Sequence, residues 1–132
     1  MNQSPYTARR RNIANASSGY PEQIHVVTYA LIHDGSSPDA ALELLRSHAE
    51  ARDWVVHSSY FDIADMTSAR TERQFWPKVE RLLEARDVTG LVARCEDEIV
   101  FYRPGKTEFR KWLLECPAFV KYVSEPPSEV IR

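Results

Sequence analysis

From residue 24 onward the chain alternates between two hydrophobic patterns. The run IHVVTYALI, residues 24–32, is almost continuously apolar and β-branched, as a strand covered on both faces reads. After the turn HDGSS, Ser37 can cap a helix with Pro38 in its first position. Leu42, Leu45 and Ala49 then recur at helical spacing, and this helix is expected to end near Asp53. WVVHSSYFD supplies a second strand. IADMTSART has no period and predicts a loop at that strand's carboxyl end, where open α/β sheets bind ligands.

The next helix, within TERQFWPKVERLLEARD, must accommodate Pro77. A start near Gln74 leaves the proline in the first turn, where its missing N–H is not needed, and gathers Phe75, Val79, Leu82 and Leu83 on one face. VTGLVARC predicts a third strand, whereas EIVFY is equally compatible with a loop and a short edge strand. Thr107 can cap a third helix that places Phe109, Trp112, Leu113 and Cys116 on one side and is stopped by Pro117. AFVKYVS closes as a fourth strand. Strands alternating with helices of this length predict an α/β fold, a three-layer sandwich around a mainly parallel four-stranded sheet. One domain over residues 24–124 is expected, between a flexible basic tail, residues 1–23, and a short tail, residues 125–132.

Charge sharpens the picture only when divided along the chain. The whole carries 17 basic and 19 acidic side chains. The first 23 residues hold Arg9, Arg10 and Arg11 against Glu22, so the remainder has 14 basic against 18 acidic groups. An acidic body argues against a broad phosphate-binding face and leaves DNA only a local patch or the Arg triplet. Solvation of that triplet is the simpler reading. Cys95 and Cys116 have neither ligand spacing nor the density of a disulfide scaffold, as in a reducing cytoplasm. No apolar run approaches the roughly 20 residues of a membrane helix, and no secretory signal opens the chain. A soluble cytoplasmic protein without cofactor or metal is the expectation.

Three motifs resemble those of the serine recombinases, the resolvase and invertase family that cuts and rejoins DNA through a phosphoserine linkage. The likeness spans about residues 25–124. Where the family's first strand reads Tyr-x-Arg-x-Ser, YALIH supplies Tyr29, with Leu31 for the arginine and His33 for the nucleophilic serine. The loop after the second strand, Ser-Gly, four residues, then Arg-Pro in the family, is matched by Thr67, Ser68 and Arg73, with Gln74 for the proline. Against Leu-Asp-Arg-Leu-x-Arg, the segment EDEIVF keeps Asp97 and the aliphatic Ile99, but Glu98 and Phe101 stand for the arginines.

The resemblance implies a resolvase-like fold and assigns Arg73 and Asp97 to active-site positions. The departures imply lost chemistry. Phosphoryl transfer needs an oxygen nucleophile and cations around the phosphorus, and each well-placed donor is worth on the order of 10²-fold to 10³-fold in rate. Three missing guanidiniums and a missing hydroxyl exceed any plausible compensation. The reading is therefore a pseudoenzyme, a module that binds a protein or another copy of itself, with Phe75, Trp76, Phe101 and Tyr102 as candidate contacts. Arg73 and Asp97 would then form a structural ion pair or persist as relics. Two alternatives stand beside it: a small-ligand or nucleotide binder at the sheet's carboxyl edge, and an enzyme using His33, with Asp34, Asp62 and Asp65 near it, as nucleophile or metal ligand.

Overall fold

The computed structural model describes residues 23–123, so the expected tails, residues 1–23 and 125–132, lie outside the described residues almost entirely. Four strands, β1 (His25–Ile32), β2 (Val55–Ile63), β3 (Gly90–Ala93) and β4 (Phe119–Tyr122), alternate with three helices, α1 (Pro38–Glu50), α2 (Trp76–Glu84) and α3 (Arg103–Glu115). The sheet order is β2-β1-β3-β4 and every pairing is parallel. β1 is an interior strand between β2 and β3, and seven of its eight residues are buried.

Alternation along β1 divides the core. Val26, Ala30 and Ile32 face α1, where Ala41, Leu45 and Ala49 meet them. Val27, Tyr29 and Leu31 face the opposite layer, built from Trp76, Val79 and Leu83 of α2 and Phe109 of α3. The helices thus cover both sides of the sheet, giving the three layers expected. Burying each such Leu or Val side chain is worth about 1.5–3 kcal/mol, so the two clusters set the register of every crossover. At Gly90 the backbone of β3 lies directly beneath the Phe119 ring, where a Cβ would stand 2.1 Å from the ring's Cζ. Only glycine fits that crossing.

Helix boundaries depart from expectation in three places. α1 ends at Glu50, and hydrogen-bonded turns carry the chain on to Asp53. α2 is capped one residue later than Gln74, at Phe75, with Pro77 in its first turn as anticipated. α3 begins at Arg103, not after Thr107, because Pro104 sits comfortably in a first turn and Tyr102 takes the extended cap position. The ambiguous segment before it is not a strand. Glu96–Glu98 form a 3-10 turn, and the Ile99 and Val100 side chains enter the core from irregular backbone.

Candidate functional site

β3 ends at Ala93, paired with Tyr29, while β1 runs on to Ile32. Beyond that point the β3 side of β1 has no strand to satisfy its peptide groups, and buried backbone donors and acceptors must find partners. Two side chains from the segment after β3 provide them. The Leu31 N–H donates to Glu98 Oε1 at 3.3 Å, and Arg94 Nη2 donates to the Leu31 carbonyl at 2.8 Å. Arg94 Nε lies 2.9 Å from Glu98 Oε2, closing the pair on itself. The Glu98 side chain is 5% exposed and that of Arg94 14%. An ion pair stands in for the missing length of strand.

Arg73 occupies a second node and is itself buried. Its Nε donates to Ser68 Oγ and its Nη2 to the Ser68 carbonyl, each at 3.1 Å. Nη1 donates to Tyr29 Oη at 3.3 Å and to the carbonyl of Glu98. Four of the guanidinium's five donors are spent on the protein. Tyr29 in turn donates to Asp62 Oδ2 at 2.8 Å, and the Asp62 carboxylate accepts the N–H groups of Phe75 at 2.9 Å and Trp76 at 3.0 Å. A carboxylate at a helix N-terminus meets both unpaired N–H groups and a favourable dipole. Burial pushes the Tyr29 phenol well above its ordinary range, with the Arg73 charge opposing that shift only in part.

His33 borders this network. Its Nε2 lies 3.6 Å from Glu98 Oε2, too far for a hydrogen bond. The ring borders a cleft of about 570 Å³ shared with Gly35, Ser36, Pro38, Ile63 and Asp65. Arg73 lines a different hollow, about 340 Å³, beside Asp62, Ser68, Glu72 and Phe75. The residue at the nucleophile position and the matched arginine therefore open onto adjoining clefts that share Ile63 and Ala64 as their common wall. Nearby Asp34 is exposed and held below the usual carboxylate range by hydrogen bonds from Ser36, which fix the turn at Gly35, where φ is 80°.

The structure separates other residues that the sequence grouped. Arg73 and Asp97 do not pair: the Asp97 carboxylate meets Lys106 Nζ, while Arg73 reaches past it to the Glu98 carbonyl. Trp76 has no surface to offer a partner, since it is wholly buried, edge-on to Tyr29 and Phe109, with its indole N–H donated to Glu80 at 2.7 Å. Phe75 is half-buried against Tyr60. Phe101 and Tyr102 are exposed, 41% and 60%, and touch edge to face. Sequence reasoning passed over Arg94, whose only signal was its four-residue spacing from Glu98. Among the described residues no group of three or more His, Cys, Asp or Glu is placed to hold a metal ion. No described helix is long and apolar enough to cross a membrane.

No protein-family model matches the chain, and no curated protein matches it by sequence. Solved structures do. The C-terminal catalytic domain of ISC1926 TnpA, an IS607-like serine recombinase, superposes with a TM-score of 0.68 at 20% identity, covering 81% of this chain and 75% of that one. The N-terminal catalytic domain of TP901-1 integrase gives a TM-score of 0.63 at 19% identity over 74% of this chain and 75% of that one. The chain has the fold of serine recombinase catalytic domains.

Proposed function

We propose that this domain is a non-catalytic relative of the serine recombinases in which the former reaction centre has become part of the scaffold, leaving an interaction module. The observation that carries this reading is the buried Glu98 carboxylate, which occupies an arginine position of the resembled motif and neutralises Arg94. A phosphodiester brought to this edge would meet that carboxylate, an Arg73 with four of its five donors already engaged, and an imidazole facing an adjoining hollow. Electrostatic stabilisation of the transition state, the largest contribution in such transfers, has no free guanidinium to supply it there. Exposed Phe101 and Tyr102 give the module an aromatic surface, since such side chains anchor protein interfaces. The free Cys95 and Cys116, both with thiols pushed up by burial, suit a reducing compartment, and we take the cytoplasm as its place of action. The test is supercoiled plasmid incubated with the full chain. Retention of supercoiling, identical for the His33→Ala variant, supports the module; nicking that disappears in that variant restores an enzyme.

The His33 cleft favours a second reading, a small-ligand or nucleotide site, because it lies at the carboxyl ends of β1 and β2. A thermal-shift series with nucleotides and inorganic phosphate decides it. Ligand at about 100 times its dissociation constant adds roughly 2.7 kcal/mol, a readily measured rise in melting temperature. An unmoved Tm across that series removes this reading.

A further inference from the structure

The outer surfaces of α1 and α3 carry complementary charges at matching spacing. On α3, the arc turned from the core carries Arg103, Thr107, Arg110, Lys111 and Leu114, all exposed, with exposed Glu108 and Glu115 along its border. Leu114, 81% exposed, is the most solvent-exposed large apolar residue described. Arg110 is engaged by Glu96, whereas Arg103 and Lys111 have no acidic partner among the described residues. On α1 the corresponding arc presents Asp39, Glu43 and Glu50 beside Ala40, Leu44 and Ser47, with Arg46 at its border, 3.8 Å from Glu43 and 3.9 Å from Glu50. Leu44 is 41% exposed.

We infer that α3 of one molecule docks on α1 of a second copy of this chain. This names the partner of the module proposed above and rests on that reading. Helical rise fixes the register: Arg103 and Lys111 lie roughly 12 Å apart along α3, Glu43 and Glu50 roughly 10 Å along α1, at about 1.5 Å per residue. In an antiparallel crossing Lys111 faces Glu43, Arg103 faces Glu50, Thr107 faces Ser47, and Leu114 settles over Ala40, whose small side chain leaves room for it. Duplex DNA would satisfy the cations of α3 but gives an 81% exposed leucine no partner, and it would not account for the acidic arc of α1. Because α1 and α3 cover opposite faces of the sheet, the contact is head-to-tail and leaves a free surface at each end. Growth by head-to-tail addition follows from that geometry, open unless the rotation between copies closes it into a ring.

Sedimentation velocity on the full chain tests this. Mass should rise continuously with concentration and fall as salt is added, since the pairs are exposed. Leu114→Asp, which kills the α3 surface, and Ala40→Arg, which kills that of α1, should each remain monomeric while retaining the wild-type circular dichroism and melting curve. Mixed in equal amounts they share one intact interface, so a 1:1 dimer should form and growth should stop there. A wild type that stays monomeric at every concentration and salt, assembly that persists in Leu114→Asp, or a variant mixture that fails to dimerise each overturns the inference. So does an α3 whose Lys111→Glu change abolishes DNA binding without altering self-association. None of these outcomes touches the non-catalytic reading, which plasmid nicking decides independently.

Discussion

Arg94 and Glu98 are joined at 2.9 Å and together complete one peptide position, Leu31, which the short strand β3 leaves unpaired. The pair is thereby a structural element of the sheet. Breaking a buried ion pair by removing one member costs about 3–5 kcal/mol, because the remaining charge keeps its desolvation penalty. Glu98→Ala is expected to lose about 3 kcal/mol or more in urea denaturation, since it also strands the Leu31 N–H. Glu98→Gln, which keeps an acceptor for that N–H, should lose less. A loss below about 1 kcal/mol for the alanine variant would show that the pair carries no such duty.

Arg73 binds three segments at once, so its removal should loosen a region as well as lower stability. Arg73→Ala leaves the Glu98 carbonyl, Tyr29 Oη and both Ser68 oxygens short of a donor, with an expected cost of about 2–5 kcal/mol. Hydrogen exchange should accelerate across residues 67–73 in that variant. Arg73→Lys keeps the charge without the planar fork and should recover only part of the loss. Full recovery by lysine would argue that charge alone matters.

Asp62 couples the end of β2 to the start of α2. Loss of a capping side chain typically costs about 1 kcal/mol, with a range of roughly 0.5–2 kcal/mol. Asp62→Ala should reach the upper end, because Tyr29 loses its acceptor together with the N–H groups of Phe75 and Trp76. Asp62→Asn should be milder. Equal stabilities for the two variants, measured by chemical denaturation, would remove the cap from the account.

Tyr29 sets an alkaline limit. Its phenol is raised in the folded state above the ordinary value of 10.0, chiefly by burial. A raised value means that the folded state holds the proton more tightly, so this contribution is complete below about pH 10 and is lost as the pH rises past it. The slope from one such proton is at most about 1.4 kcal/mol per pH unit. Tyr29→Phe cannot ionise there. It should start less stable, having lost its bonds to Arg73 and Asp62, but decline less steeply between pH 9 and about pH 11. Parallel declines for the two proteins would contradict the assignment.

The fold was legible where one local signal dominated. The nearly continuous apolar run of β1 placed an interior strand, and the periodicity of α1 placed its core face at Leu45 and Ala49. The start of α3 was not, because Thr107 is a good cap residue in isolation while the tolerance of a first turn for Pro104 let the helix begin a turn earlier. Trp76 and Phe75 are adjacent in sequence, yet the helical start turns one wholly inward and leaves the other half-covered. The candidate site was legible in part, through the matched Tyr29 and Arg73 as well as through the departures from the motif. Leu31, His33 and Glu98 could be set against a motif, but their meaning comes from contacts spanning more than sixty residues, such as Leu31 to Arg94 and Glu98. Arg94 carried no motif and acquires its role only because β3 stops at Ala93.

The central claim is that the former reaction centre is chemically closed, its cations bound internally and its nucleophile position held by a histidine in an adjoining cleft. Intact-protein mass spectrometry of the full chain, quenched with denaturant during incubation with supercoiled DNA and then treated with nuclease, reads this directly. The account predicts the unmodified mass at every time point. A nucleotide-bearing mass, lost on substituting His33, would contradict it.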